Sequence, residues 1–453
     1  MIIFRGMEFL LALFFAAANT APSVPADVAM PGCDADLRAR FDPGPLEPGP
    51  LRLVSIACLD FTGSPFAVSD AIVSPDGTAV AAWHNGPSPV EIATPGRPGR
   101  IALPNRVTFR NFAGILGDSS GTAPDALAWS GDSRRLFTVR QHIGDPAGWA
   151  FGGLEPVTLA RDGSLRPLPP LRHRAGPLDA LLWVGSEGRA LAQFGTMGGY
   201  YRPEHPDPAP TLAIVDAARG RVLDTVAASR LPRLASRVAA WGLRASGATA
   251  VLMPDGRMRA LIQFSRWADR RGRAPGEEPV MRPGWWLLWT QGDAPVEWSW
   301  PDGERALPLT LSPDGRSVLA VRALQPVGMQ IFDCRGCTPP PPPEPVNGAV
   351  AELIDIATRR VLWQVQTRAT SFWPQRMAPA ISPDGRYALI DLPPDETHRW
   401  LALIDMRSGR IIQRLAPFQV GSYRNAASFA PDGRSLRITA ANLLWTYSLP
   451  PGR

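Results

Sequence analysis

Few residues in this chain have types and spacings that lend themselves to chemistry. The five histidines, His84, His142, His173, His205 and His398, stand far apart in sequence and show no local metal-ligand spacing, so no metal site is expected. One string, Gly117-Asp118-Ser119-Ser120-Gly121, resembles a hydrolase nucleophile motif. Such a serine needs a strand before it and a helix after it, whereas this string lies in a Gly- and Ser-rich linker. Gly195-Thr196-Met197-Gly198-Gly199 carries Met where that motif needs Ser. All 47 basic residues are Arg; the absence of Lys excludes Schiff-base chemistry and a phosphate-loop lysine. The net charge of +6 makes anionic partners conceivable. The arginines are nevertheless scattered, without a basic stripe or interleaved aromatics, so nucleic-acid binding is not expected. No catalytic residue and no cofactor is assigned.

The four cysteines, Cys33, Cys58, Cys334 and Cys337, point to compartment instead of catalysis. Residues 1–21 carry Arg5, an apolar run from Phe9 to Ala18 and a small-residue stretch to Ala21, the layout of a cleavable secretory signal. The run is too short to span a bilayer, and no later segment reaches spanning length. The mature chain is expected to be soluble and periplasmic or secreted. In an oxidising compartment an even number of cysteines makes disulfides the default. Of three connectivities, Cys33 with Cys58 and Cys334 with Cys337 is favoured, although spacing alone leaves the choice open. Cys334-Arg335-Gly336-Cys337 directly precedes a Pro-rich run and lacks both the βαβ context of a redox pair and the partner ligands of a zinc site.

The elements that must position any site are announced by repetition. A hydrophobic strand, a Pro-Asp-Gly type turn and a second strand recur at Ser74-Pro75-Asp76-Gly77, Met253-Pro254-Asp255-Gly256, Ser312-Pro313-Asp314-Gly315, Ser382-Pro383-Asp384-Gly385 and Ala430-Pro431-Asp432-Gly433. Degenerate copies stand at Ser130-Gly131-Asp132-Ser133 and Gly185-Ser186-Glu187-Gly188. In these turns Pro presets φ, Asp bonds back to the local backbone and Gly supplies a positive φ. The acidic positions recur about every 59 residues, room for four strands and insertions. A second turn at Asp216-Ala217-Ala218-Arg219-Gly220, Asp355-Ile356-Ala357-Thr358-Arg359 and Asp405-Met406-Arg407-Ser408-Gly409 joins strands c and d. The fold predicted is all-β, a seven-bladed β-propeller over residues 51–453, preceded by an extension over 22–50. The last blade lacks its fourth strand; Leu51 to Leu59 is expected to supply it and close the ring, pinned by Cys33–Cys58.

These repeats resemble the WD40-like Pro-Asp-Gly repeats of TolB-type periplasmic propellers, and more weakly the N-terminal propellers of prolyl-oligopeptidase relatives. The blade Ala380-Ile381-Ser382-Pro383-Asp384-Gly385-Arg386-Tyr387-Ala388-Leu389-Ile390 carries the pattern closely. The resemblance spans roughly Phe66 to Pro450 and implies fold; neither a TolB-like α/β domain before the blades nor a hydrolase domain after them is expected, so neither family's activity is expected to carry over.

If the Pro-Asp-Gly turns lie on one face of the disc, the loops after strand b lie on the other. These are long, over about Gln141–Gly153, Gly195–Pro210, Ser265–Gly284, Ala323–Gly348 and Leu392–Arg399. The polar residues at the ends of the b strands, His84, Asn85, Arg140, Gln141, His142, Gln193, Gln263, Arg266, Arg322 and Asp391, are expected to ring the channel mouth. Strand Trp residues such as Trp83, Trp129, Trp183, Trp285, Trp286 and Trp289 should pack between blades, whereas Trp149 or Trp267 is placed to stack on a ligand. The function expected is binding of a protein, peptide or small molecule on the long-loop face. The alternatives are a propeller hydrolase or lyase, which needs Asp391 clustered inward with His84 or His142, and a scaffold for a separately encoded peptidase.

Overall fold

The computed structural model describes residues 28–35, 44–61, 68–84, 90–102, 127–143, 151–176, 178–194, 211–227, 230–231, 244–266, 282–298, 306–323, 349–367, 379–392, 398–419, 426–440 and 442–450. These form seven four-stranded antiparallel sheets. Strand β1 (Arg52–Cys58) comes first. Blade 1 is β2 (Val68–Val73), β3 (Val80–His84), β4 (Val90–Ala93) and β5 (Arg100–Ala102). Blade 2 is β6 (Ala128–Trp129), β7 (Arg135–Ile143), β8 (Phe151–Ala160) and β9 (Leu165–Pro167); blade 3 is β10 (Leu178–Val184), β11 (Arg189–Phe194), β12 (Thr211–Asp216) and β13 (Arg221–Ala227). Blade 4 is β14 (Arg244–Leu252), β15 (Met258–Arg266), β16 (Arg282–Thr290) and β17 (Val296–Trp298); blade 5 is β18 (Ala306–Leu311), β19 (Ser317–Ala323), β20 (Ala349–Asp355) and β21 (Val361–Thr367). Blade 6 is β22 (Ala380–Ile381), β23 (Tyr387–Asp391), β24 (His398–Asp405) and β25 (Ile411–Gln419), and β26 (Ala426–Phe429), β27 (Ser435–Ala440) and β28 (Leu443–Ser448) begin blade 7. Its fourth strand is β1, antiparallel to β28 from Arg52↔Ser448 to Cys58↔Leu443. The chain is a seven-bladed β-propeller closed by its N-terminal strand, as the repeats predict.

The turns explain the repeat chemically. In blade 1 the Ser74 hydroxyl donates to Asp76 Oδ1 at 2.6 Å, the Thr78 N–H donates to the same oxygen at 3.0 Å, and the Ala79 N–H donates to Ser74 Oγ at 2.9 Å. Blades 2, 5 and 6 repeat the Ser-to-Asp bond at Ser130–Asp132, Ser312–Asp314 and Ser382–Asp384. The following glycine takes a left-handed φ, +76° at Gly77 and +67° at Gly315. Blade 2 has Ser133 there, at φ 61°, and its hydroxyl accepts the Asp76 N–H at 3.0 Å. The degenerate copy thus exchanges an easy backbone for a bond to the neighbouring blade.

The core lies between blades. One apolar cluster joins Leu191, Leu212 and Ile214 of blade 3 to Met258, Ile262 and Trp289 of blade 4; another joins Leu389, Leu403 and Leu415 of blade 6 to Leu436, Ile438, Trp445 and Ile56 of blade 7. Burial at about 25 cal/mol per Å² of apolar surface makes these contacts the main holding force. Polar contacts set the angle between blades. Trp298 Nε1–H donates to the Ile356 carbonyl, and Trp363 Nε1–H to the Met406 carbonyl, in each case from an outer strand to the c–d turn of the next blade. Arg437 of blade 7 donates to the Ser74 and Pro75 carbonyls of blade 1, across the closure.

At the step from blade 6 to blade 7 there is no c–d turn to receive a tryptophan, and the corresponding residue is Gln413. Its Oε1 accepts the Leu51 N–H at 2.6 Å, and its Nε2 donates to the Glu47 and Leu51 carbonyls at 2.7 and 3.1 Å. The extension adds more than the fourth strand. Around Leu46 it bridges antiparallel to Leu415 on β25, and Ala29 bridges parallel to Ser55 on β1. Cys33 and Cys58 form the expected disulfide, with Cys33 6% exposed. Cys334 and Cys337 lie outside the described residues.

Candidate ligand-binding face

The antiparallel order within each blade puts the a–b and c–d turns at one end of the disc and the ends of strands b and d at the other. The turn end spends its charge on itself. Burial pushes the Asp76 carboxyl up, but the Ser74 hydroxyl, the Thr78 N–H and hydroxyl and the Arg161 guanidinium outweigh it and hold the group far below the usual carboxylate range. Asp132 is lowered by the Ser130 hydroxyl, Asp255 by the Arg257 N–H and side chain, Asp355 by the Thr358 hydroxyl and Asp405 by the Ser408 hydroxyl. Arg161 bonds Asp76 from the next blade, and Arg257 bridges Asp255 and Asp293. The lowered carboxyls of Asp76, Asp132, Asp255, Asp355 and Asp405 are thus ionised at neutral pH and occupied by turn and inter-blade donors.

The opposite end carries the residues singled out from sequence. His84 is the last residue of β3, facing Val68; Arg140 and Gln141 pair with Glu155 and Leu154 in β7–β8, with His142 beside them at a register shift; Gln263 pairs with Trp286 and Arg266 with Arg282 in β15–β16; Arg322 pairs with Val350 in β19–β20. The side chains of these residues, and Asn85 altogether, lie outside the described residues. Topology therefore brings the backbones of His84, Arg140, Gln141, His142, Gln263, Arg266 and Arg322 to one end of four blades. Gln193 and Asp391 are described fully: both are buried, at 2% and 7% exposure, opposite Leu212 and Leu401. The strands also run further than the sequence suggested. Gln141 to Ile143 and Phe151 to Gly153 belong to β7 and β8, and His398–Arg399 to β24, because the cross-strand ladder continues past a bulge after Gln141.

Two polar groupings at this end escaped the sequence reading. The Thr367 hydroxyl, at the end of blade 5, donates to the Asp391 carbonyl of blade 6. His398 opens the strand paired with β23, its ring 6.2 Å from Trp400. Thr367 and Trp400 carried no signal because each belongs to an ordinary strand pattern and meets Asp391 or His398 only through pairing. In the connection from blade 2 to blade 3, the His173 ring stands 5.4 Å from the Phe194 ring of blade 3, and its Nδ1 accepts the Ala175 N–H. Burial, with Arg174 nearby, pushes its pKa down, so the ring is neutral at pH 7. Among the described residues no three His, Cys, Asp or Glu side chains converge as a metal site. Of the strand tryptophans expected to pack between blades, Trp129, Trp286 and Trp289 are buried, Trp183 packs partly buried against the cluster between blades 3 and 4, and Trp129 Nε1–H donates to the Ile72 carbonyl of blade 1; the side chains of Trp83 and Trp285 lie outside the described residues. Trp149 and Trp267 lie outside the described residues.

No family model and no curated protein matches the chain. Among solved structures it is similar to the Dos1 propeller, at 10% identity and TM-score 0.44 over 87% of this chain and 95% of that one. It is likewise similar to the C-terminal WD40 domain of Sif2, at 11% identity and TM-score 0.42 over 88% and 98%. TolB from Acinetobacter baumannii matches at 15% identity and TM-score 0.33, over 79% of this chain and 65% of TolB.

Proposed function

We propose that this chain is an exported propeller of the Pro-Asp-Gly repeat type that binds a protein, peptide or small ligand through its long-loop face. The observation that carries this reading is the division of labour between the two ends of the disc. At the turn end, carboxylates such as Asp76, Asp132, Asp314 and Asp384 are tied into turn hydrogen bonds. The other end collects polar strand termini from blade after blade, and binding residues concentrate on loops carried by a rigid scaffold. The charged and amide groups there suit recognition of polar or acidic groups. Export is supported by the signal-like residues 1–21 and by the Cys33–Cys58 disulfide, which an oxidising compartment maintains.

The test is affinity capture from a periplasmic extract with the mature chain, comparing wild type with the Arg140→Ala/His142→Ala/Arg266→Ala variant. A partner retained by wild type and lost by the variant supports the long-loop face. Equal capture by both, with both proteins folded, rejects it. Mass determination of the exported chain tests the signal directly: a start after Ala18 or Ala21 is expected, and an uncleaved N-terminus contradicts export by this route.

A further inference from the structure

The turn end uses up its carboxylates but not all of its arginines. Every a–b and c–d turn of the propeller lies among the described residues, so the charges of this end are described around the whole disc. In blades 2 to 4, guanidiniums are drawn into the structure: Arg161 onto Asp76, Arg219 onto Asp216, Arg257 onto Asp255 and Asp293, and Arg259 onto the Gly315 carbonyl. Blades 5 to 7 are built differently. Asp314 accepts the Ser312 hydroxyl at 2.6 Å and the Arg316 N–H at 3.0 Å, and Asp384 accepts the Ser382 hydroxyl at 2.6 Å and the Arg386 N–H at 3.1 Å. Asp432 accepts the Arg434 N–H at 2.9 Å. In the c–d turns Asp355 is held by Thr358 and Asp405 by Ser408, each through a hydroxyl and an N–H. These carboxylates take their hydrogen bonds from neutral donors of their own turns, which fold them against the backbone.

The arginines of the same turns are held outward. Arg316, Arg386 and Arg434 follow the turn glycines of blades 5, 6 and 7 and form an inner arc; Arg360, Arg407 and Arg410, on the c–d turns of blades 5 and 6, form an outer one. All six are exposed. Arg386 lies 5.1 Å from the Tyr387 ring centre, a contact that uses the face of the guanidinium and not its N–H donors, and Arg410 helps to lower the Asp405 carboxyl. A guanidinium on its long stem reaches past a carboxylate that is folded into its turn, so the outermost layer of these arcs is cationic. Directly after Arg360, Val361 and Leu362 expose 39% and 55% of their surfaces.

We propose that blades 5 to 7 dock the turn end of the disc on an anionic phospholipid bilayer, with these arginines on lipid phosphates and Val361 and Leu362 at the headgroup boundary. Charges spread in two arcs over three adjacent blades match an extended array of phosphates and not one small anion. The tight turns build this end without the long loops of the other, so it offers a broad surface in place of a cleft. Apolar side chains exposed beside arginines gain contact at the headgroup boundary of a bilayer, which a soluble phosphate polymer does not have. Such attraction falls off within a Debye length, about 10 Å at 0.1 M salt, so docking is reversible and salt-sensitive. It leaves the long-loop face turned to solution and does not rest on the ligand reading given above for that face.

The test is flotation of the mature chain with vesicles of phosphatidylcholine alone or with about one third phosphatidylglycerol. Wild type is expected on the anionic vesicles only, with retention fading as salt rises. One arginine near an anionic surface is worth about fivefold in binding, so Arg316→Gln/Arg386→Gln/Arg434→Gln should weaken retention roughly tenfold or more. Arg172→Gln/Arg174→Gln/Arg230→Gln removes the same charge from exposed residues in the connections after β9 and β13, at the long-loop end, and should leave retention unchanged. Every substituted side chain is exposed, so both variants should keep the wild-type thermal midpoint. Leu362→Ser should weaken vesicle binding about fivefold. The proposal is overturned if wild type ignores anionic vesicles or if the two triple variants lose retention equally. It is also overturned if inorganic polyphosphate displaces the chain at phosphate concentrations matching the lipid, which would assign the arginines to a soluble polyanion. The vesicles contain no protein or peptide, so failure here leaves the reading of the long-loop face to its own test.

Discussion

Replacing Gln413 by Leu should loosen the closure of the ring far more than its place in an outer strand suggests. Gln413 is 1% exposed and makes three hydrogen bonds to the segment that leads into β1. Leucine keeps the apolar stem but leaves the Leu51 N–H, buried with a residue only 2% exposed, without its acceptor. An orphaned buried donor costs about 1–3 kcal/mol. The Leu51 carbonyl loses a donor too, whereas the Glu47 carbonyl belongs to an exposed residue and can turn to water. A total of about 2–4 kcal/mol follows. Arg414→Ala, on the next and exposed residue, should stay within about 0.5 kcal/mol of wild type. Gln413→Trp restores the residue used at positions 298 and 363 but should not rescue, because Gly49 packs so closely on Gln413 that an added Cβ would lie 2.5 Å from it. Urea unfolding followed by tryptophan fluorescence, with proteolysis of residues 44–51 as a local probe, measures these effects. Equal unfolding midpoints and equal protease resistance for Gln413→Leu and Arg414→Ala would refute the reasoning.

Other consequences are as specific. Gly409→Ala places a methyl 2.6 Å from Trp363 Cγ at φ +71°, so it should destabilise by about 1–3 kcal/mol in thermal unfolding, more than Ala at Gly385, whose Cβ meets nothing. Reduction of Cys33–Cys58, or Cys58→Ser, should lower stability by about 3 kcal/mol given the separation of 25 residues, measured by denaturation with and without reductant. The depressed carboxyls of Asp76, Asp132, Asp255, Asp355 and Asp405 contribute stability that is fully present above the unfolded carboxyl value of 3.8 and lost as pH falls through the lower folded values. Stability should therefore hold from neutral pH to about pH 4 and fall below it, with a shallower fall in Asp76→Asn.

Much of this architecture was legible because each turn announces itself chemically. Pro, Asp and Gly at Pro75, Asp76 and Gly77 each meet one demand of the a–b turn, and the same demand returns in every blade. The closing strand was legible by subtraction, since three strands after residue 425 leave a vacancy that Leu51 to Leu59 can fill. The extra strand contributions of residues 29 and 46 were not, because isolated bridges leave no periodicity. Gln413 looked like an ordinary strand glutamine; its partners stand more than 360 residues earlier. At the candidate face the sequence could place residues at the ends of b strands, but not the burial of Gln193 and Asp391, which depends on how closely the neighbouring blades pack. The strain at Ser133 and Arg359 was likewise invisible, since only backbone angles expose a non-glycine residue in a glycine position.

The most direct test of the central claim is hydrogen exchange of the mature propeller with and without a partner captured from the periplasmic extract. Binding through the long-loop face predicts slowed exchange in the amides of 141–143, 192–194 and 264–266 and of Asp391, with the turns at 76–79 and 314–317 unchanged. Protection confined to those turns, with the strand ends unaffected, would contradict it.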